Sequence, residues 1–78
     1  MSYGSMMAQG IIIGMADMGA KFVKVDATHI FFDVTKGSEI DDNDKLLRAN
    51  ELIMSVTGLK MKIKRTVANP SELISNIV

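Results

Sequence analysis

The stretch "DDNDKLLRANELIMSVTG", residues 41–58, decides the fold predicted from this sequence. Its apolar residues recur at the spacing of one helix face, with a polar stripe opposite. The apolar positions are Leu46, Ala49, Ile53 and Val56. Gly58 follows the last turn, where a residue with positive φ commonly ends a helix. The pattern predicts a helix over residues 42–57 that connects two strand-like segments before it to one after it.

The acidic residues at the beginning of this helix have an ordinary structural explanation. Asp41 is the predicted N-cap with Asp44 at the third helical position, and Ser38 is the alternative cap. Negative charge at a helix N-terminus is also favoured by the helix dipole. Because the spacing does not match a calcium-binding loop, we interpret the cluster as helix capping and predict no metal site.

The segments on either side of the helix are rich in β-branched and aromatic residues, which is typical of strands. They are "KFVKV" (residues 21–25), "HIFFDVT" (residues 29–35) and the first part of "LKMKIKRTVANP" (residues 59–70). Alternation in the second predicts one face formed by Ile30, Phe32 and Val34 and another bearing Phe31. The helical crossover predicts a third strand parallel to the second. If it lay beside the first strand, those two would pair antiparallel.

Two further helices are predicted at the ends of the chain. "MMAQGIIIGMADMGA", residues 6–20, has a broad apolar surface, although its glycines lower helix propensity. It is too short to span a membrane and lacks the basic polar face of a surface-bound helix. "NPSELISNIV", residues 69–78, begins with a good N-cap followed by proline, which predicts a short closing helix. The expected fold is a single α+β domain over residues 1–78, in the order α-β-β-α-β-α, with a three-stranded mixed sheet packed by helices.

Size and composition limit the function. A chain of 78 residues is marginally stable alone, and without cysteine it cannot use disulfides. We therefore predict a homo-oligomer that associates through one face of the first helix, formed by Met7, Ile11, Met15 and Met18. With a single histidine, His29, and no glycine-rich phosphate loop, we expect neither catalysis nor a cofactor. Nothing resembles a secretion signal, so we expect a cytoplasmic protein.

The third strand raises an alternative function, because lysines alternate with apolar residues along it. The bland interpretation is a solvated strand face, or an edge protected by charge against pairing with another chain. The alternative is a nucleic-acid-binding face, in which an aromatic side chain stacks bases and cations neutralise phosphates. Its candidate residues are Phe31, Lys60, Lys62, Lys64 and Arg65, with Lys24 or Lys21 from the first strand.

The net charge of the sequence favours protein binding over nucleic-acid binding. Nine basic and nine acidic residues give no net attraction to nucleic acid. The order hairpin, helix, strand resembles that of several very small phage proteins that bind and inhibit host enzymes, which implies a protein partner. The sequence thus favours a small non-enzymatic protein-binding or regulatory module that self-associates, with nucleic-acid binding as the alternative and a membrane partner disfavoured.

Overall fold

The computed structural model describes residues 3–67, which form two helices and a three-stranded sheet. The elements are α1 (Tyr3–Asp17), β1 (Ala20–Val25), β2 (His29–Thr35), α2 (Asn43–Thr57) and β3 (Lys60–Thr66). The predicted α+β class and the order of these five elements are confirmed. The predicted closing helix in residues 69–78 lies outside the described residues.

The sheet is mixed, and β2 is its central strand. β1 pairs antiparallel with β2, and β3 pairs parallel with β2, so the strand order is β1-β2-β3. The predicted parallel direction of β3 is confirmed. The alternative position of β3 beside β1 is wrong. β3 lies on the edge of β2 that β1 leaves free, because strands that follow each other in the chain usually lie next to each other.

The hydrophobic core lies on one side of the sheet, which we call the helix side. α1 packs against α2 and β1, and α2 packs against β3. The buried residues are Met15, Ala20, Ile30, Phe32, Val34, Ile40, Leu46 and Ile53. Three of them alternate along β2, as predicted, because every second side chain of a strand points to the same face. The predicted inward face of α2 is also confirmed, since Leu46 and Ile53 are buried.

The N-cap of helix α2 differs from the predicted one, whereas its C-cap is the predicted residue. Asp42 is the N-cap, and its side chain accepts a hydrogen bond from the Lys45 backbone N–H at 3.0 Å. The predicted caps Asp41 and Ser38 are therefore wrong. Asp41 is used elsewhere, because its carboxylate accepts from Gly37 N–H at 2.9 Å and from Arg65 Nε at 2.8 Å. At the other end the prediction is confirmed, since Gly58 has φ 75° and caps the helix.

These contacts predict a pH dependence of stability. The hydrogen bond from Arg65, followed by that from Gly37, holds the pKa of Asp41 below its ordinary value of 3.8. A carboxyl group whose pKa is lower in the folded state stabilises the fold above its unfolded pKa, and this contribution is lost as pH falls through the folded pKa. Asp41→Asn should therefore lose stability relative to the unsubstituted chain near neutral pH, and the difference should shrink in acid.

Urea unfolding at a series of pH values from neutral to acid measures this effect. Arg65→Gln is the matched variant, because it removes the main cause of the shift while keeping the carboxylate. It should reduce the acid-sensitive part of the stability in the same pH range. A stability difference for Asp41→Asn that grows as pH falls would contradict the assignment.

Candidate nucleic-acid interface

The side of the sheet opposite the helices, which we call the open face, collects most of the lysines of the chain. In the ladder between β2 and β3, His29 pairs with Lys60, Phe31 with Lys62 and Asp33 with Lys64. Because paired residues of neighbouring strands project to the same side, the β3 lysines lie beside the β2 residues that face away from the core. All three lysines are exposed, which confirms the alternation predicted for this strand.

An irregularity in β1 brings two further lysines to the open face. Lys21 pairs with Asp33 and Phe22 with Phe32, but Lys24, rather than Val23, pairs with Phe31. This shift is a β-bulge, in which one extra residue reverses the facing of the residues after it. Without it, Lys24 would project to the helix side together with Phe22. With it, Lys21 and Lys24 both project to the open face.

Phe31 lies at the centre of this cationic surface. The Lys24 Nζ sits 4.8 Å from the centroid of the Phe31 ring, in a cation–π contact. The imidazole of His29 lies on the same side, with its centroid 6.2 Å from that of Phe31 and its plane tilted by 43°. Both rings are half-buried. The open face thus has two aromatic rings in its middle strand and lysines on both outer strands.

A shallow hollow of about 380 Å³ lies beside Phe31 on this face. Lys24 and Val23 border it on the β1 side, and Lys62 and Lys64 border it on the β3 side. A ligand entering it would lie beside the Phe31 ring and these three lysines, with Asp33 as the one acidic residue among the described residues of the lining. Such a combination suits a planar, anionic ligand.

The charge of the open face differs sharply from that of the whole chain. Five of the seven lysines project from it: Lys21, Lys24, Lys60, Lys62 and Lys64. Among the described residues of the strands, Asp33 is the carboxylate on this face, and it accepts a hydrogen bond from Thr66 Oγ1 at 2.7 Å. The acidic cluster of residues 39–44 belongs to the loop before α2 and its first turn. Zero net charge therefore conceals a sheet surface that is locally basic.

Arg65 is separated from the other predicted nucleic-acid contacts. Its partner in the ladder is Val34, whose side chain is buried on the helix side, and its guanidinium is bound to Asp41. Phe31, Lys60, Lys62 and Lys64 are brought together, and Arg65 is not. In its place, His29 joins the site. The sequence signal for the β1 contribution was the three-residue spacing of Lys21 and Lys24, which departs from strand alternation.

The residues predicted for self-association lie on the other side of the molecule. Ile11, Met15 and Met18 line an apolar groove of about 430 Å³ between α1 and α2. Residues of α2, among them Ala49 and Leu52, form its other wall. Met15 is 2 % exposed and belongs to the core of its own chain, whereas Met7, one turn before Ile11, is 43 % exposed.

Comparison with protein-family models, with curated proteins and with solved structures finds no match to this chain. Within residues 3–67 no three side chains of the types that bind metals come together as a metal site. Neither described helix is long and apolar enough to cross a membrane.

Proposed function

We propose that this chain is a small, non-enzymatic, cytoplasmic protein that binds nucleic acid on its open face. The observation that supports the proposal is the grouping of five lysines around the half-buried ring of Phe31, on the side of the sheet away from α1 and α2. This reverses the preference drawn from net charge. Screening limits the reach of a charge to about 8 Å at physiological salt, so a ligand responds to the face it touches.

The physical basis of binding is the neutralisation of phosphates. Each lysine that contacts a phosphate releases condensed counterions, which provides affinity without sequence preference. The lysines are free to do so, since each of the three on β3 is exposed and projects from an outer strand. The neutral total charge has a consequence as well, because it provides no attraction at long range and binding should depend on contact.

The first test replaces Lys60, Lys62 and Lys64 together by glutamine and measures the binding of labelled DNA and RNA oligonucleotides by fluorescence anisotropy. For single strands, the plot of log K against log salt concentration should lose about 0.7 of its slope for each phosphate contact removed. We therefore expect a slope that is shallower by about 2 and a large loss of affinity at low salt.

The matched control replaces Lys36, Lys45 and Arg48 by glutamine, which changes the net charge equally but away from the open face. This control should retain most of the affinity. Equal losses for the two triple variants would show that binding follows total charge and would overturn the site. Undetectable binding of every oligonucleotide at low salt would overturn the function, leaving the lysine row as a solvated face or edge protection.

A second candidate function, a self-associating protein-binding or regulatory module, is supported by the apolar groove between α1 and α2. The groove is lined by Ile11 and Met18 and is open to solvent along a helix pair that also exposes Met7 and Leu52. Exposed apolar surface of this kind is commonly covered by a protein partner. In this function the occupant is a second copy of the chain.

The test of self-association uses Met7→Glu, because Met7 is exposed and its loss should leave the core intact. We expect the unsubstituted chain to have an oligomeric mass in analytical ultracentrifugation at micromolar concentration, and Met7→Glu to shift it toward the monomer. Ile13→Glu is the matched control, since Ile13 is 63 % exposed on a different face of α1. A mass that stays monomeric as the concentration is raised would exclude self-association.

A further inference from the structure

We infer that the ligand of the open face is single-stranded nucleic acid, and that His29 and Phe31 stack two successive bases. We further infer that Lys24, which covers the Phe31 ring in the free protein, leaves it to contact a phosphate. The inference rests on the proposed function and names the class of nucleic acid and the residues that hold its bases.

The two rings have the placement that a pair of stacking platforms requires. His29 and Phe31 are alternate residues of β2 and project to the same side, as their partners Lys60 and Lys62 show. Alternate residues of a strand lie about 6.6 Å apart, so two neighbouring bases can each reach a ring. Base stacking on aromatic side chains tolerates any sequence, because every base has a π face.

The lysines lie where the backbone of such a strand would pass. β1 and β3 flank β2 at about 4.8 Å on either side. On the β3 side, Lys60 and Lys62 pair with His29 and Phe31, whereas on the β1 side Lys24 pairs with Phe31 and His29 is next to Asp26. Lys21 and Lys24 form one row, and the three β3 lysines form the other. A single strand can lie across this surface with its bases on the middle strand and its phosphates over an outer one.

A duplex fits the same surface poorly. Reading a double helix usually requires an α-helix or a two-stranded ribbon that enters a groove. Both helices within residues 3–67 pack on the helix side, where Met15, Leu46 and Ile53 share the core with β2. Neither can enter a groove from the open face, and the bases of a duplex are already stacked on each other.

Lys24 links the free and bound states. Its Nζ lies 4.8 Å from the Phe31 centroid, over the ring that a base would use. The side chain reaches this position from β1 only because of the bulge at Val23. A phosphate near β1 offers the Lys24 ammonium group a full negative charge in place of the Phe31 ring. Lys24 therefore moves to the phosphate, and a base of the same ligand stacks on the exposed ring.

The experiment measures the anisotropy of labelled oligonucleotides of about 10 nucleotides, within the site size of single-strand binders, as single strands and as duplexes over a range of salt. Phe31→Leu and His29→Leu should each weaken single-strand binding by about 5- to 150-fold at every salt concentration, with an unchanged salt slope. Phe31→Tyr keeps the ring and should keep the affinity. Lys24→Met should lower the slope by about 0.7 while preserving the affinity at high salt.

The outcomes separate this inference from the proposed function. Binding that depends on the β3 lysines but is equal for duplex and single strand, or unchanged in Phe31→Leu, overturns the stacking inference and leaves the function standing. An affinity at high salt that falls in Lys24→Met overturns the role of Lys24 as a removable cover. No binding to either form of nucleic acid overturns both. Thermal unfolding of each variant establishes that it is folded.

Discussion

Phe32→Ala should lower the free energy of unfolding by about 3–5 kcal/mol, as expected for removing a buried aromatic side chain. Phe32 is 1 % exposed and belongs to the central strand. Its ring meets that of Phe22 edge to face, with the centroids 6.2 Å apart, so the substitution also removes an aromatic pair. Because a chain of this size has little stability to lose, the variant should be largely unfolded.

The neighbouring residue provides a matched control for this prediction. Phe31→Ala makes the same chemical change one position earlier, but on the open face, where the ring is only half-buried. It should cost clearly less stability in urea unfolding. The two substitutions therefore separate stability from binding along a single strand. A larger loss for Phe31→Ala than for Phe32→Ala would mean that the two faces of β2 are assigned the wrong way round.

The elements with regular periodicity could be predicted from the sequence. α2 buries Leu46 and Ile53 on the face that helical spacing indicates, and Gly58 ends it. β2 buries Ile30, Phe32 and Val34 by simple alternation. In both, the pattern of burial repeats within one element and does not depend on where its neighbours lie, which is why local reasoning succeeds.

The predictions that were wrong concern positions for which the local sequence offers two equally suitable alternatives. Asp41 and Asp42 are equally good N-caps by residue type, and the choice falls on Asp42 because Asp41 is bound by Gly37 and Arg65. Arg65 lies far along the chain, so the sequence around the start of the helix does not contain the residue that determines the cap. The position of β3 beside β2 is likewise set by which strand edge is free in three dimensions.

The candidate site was only partly predictable for a related reason. Alternation on β3 placed Lys60, Lys62 and Lys64 together, and it placed Phe31 outward on β2. The bulge that turns Lys24 over Phe31 breaks the alternation on which such reasoning depends. The net charge of the chain also gave the wrong preference between the two functions. It sums the acidic residues near α2 and the lysines of the open face, although the two groups belong to different surfaces.

Gly19→Ala should destabilise the protein by about 2–6 kcal/mol, from about 1–3 kcal/mol of backbone strain and about 1–3 kcal/mol of overpacking. Gly19 joins α1 to β1 with φ 107°, a conformation that side chains disfavour. A Cβ atom there would overlap the Cβ and Oγ of Ser38. The Gly19 carbonyl also accepts a hydrogen bond from Thr35 N–H at 2.9 Å, so the backbone cannot shift freely to relieve the overlap.

Three variants separate the two causes of this effect. Gly37→Ala introduces a side chain at φ 78° with no atom within 4 Å, so it should show the backbone strain alone. Ser38→Gly removes the atoms that a Cβ at Gly19 would meet, so in the double variant the overpacking should disappear and only the strain should remain. Gly10→Ala, in α1 with open space around it, should instead stabilise by about 1 kcal/mol. Urea unfolding measures the stability of Gly19→Ala, of the single variants Gly37→Ala and Gly10→Ala, and of the double variant. A Gly19→Ala protein as stable as Gly37→Ala would contradict the close packing of Ser38 against this turn.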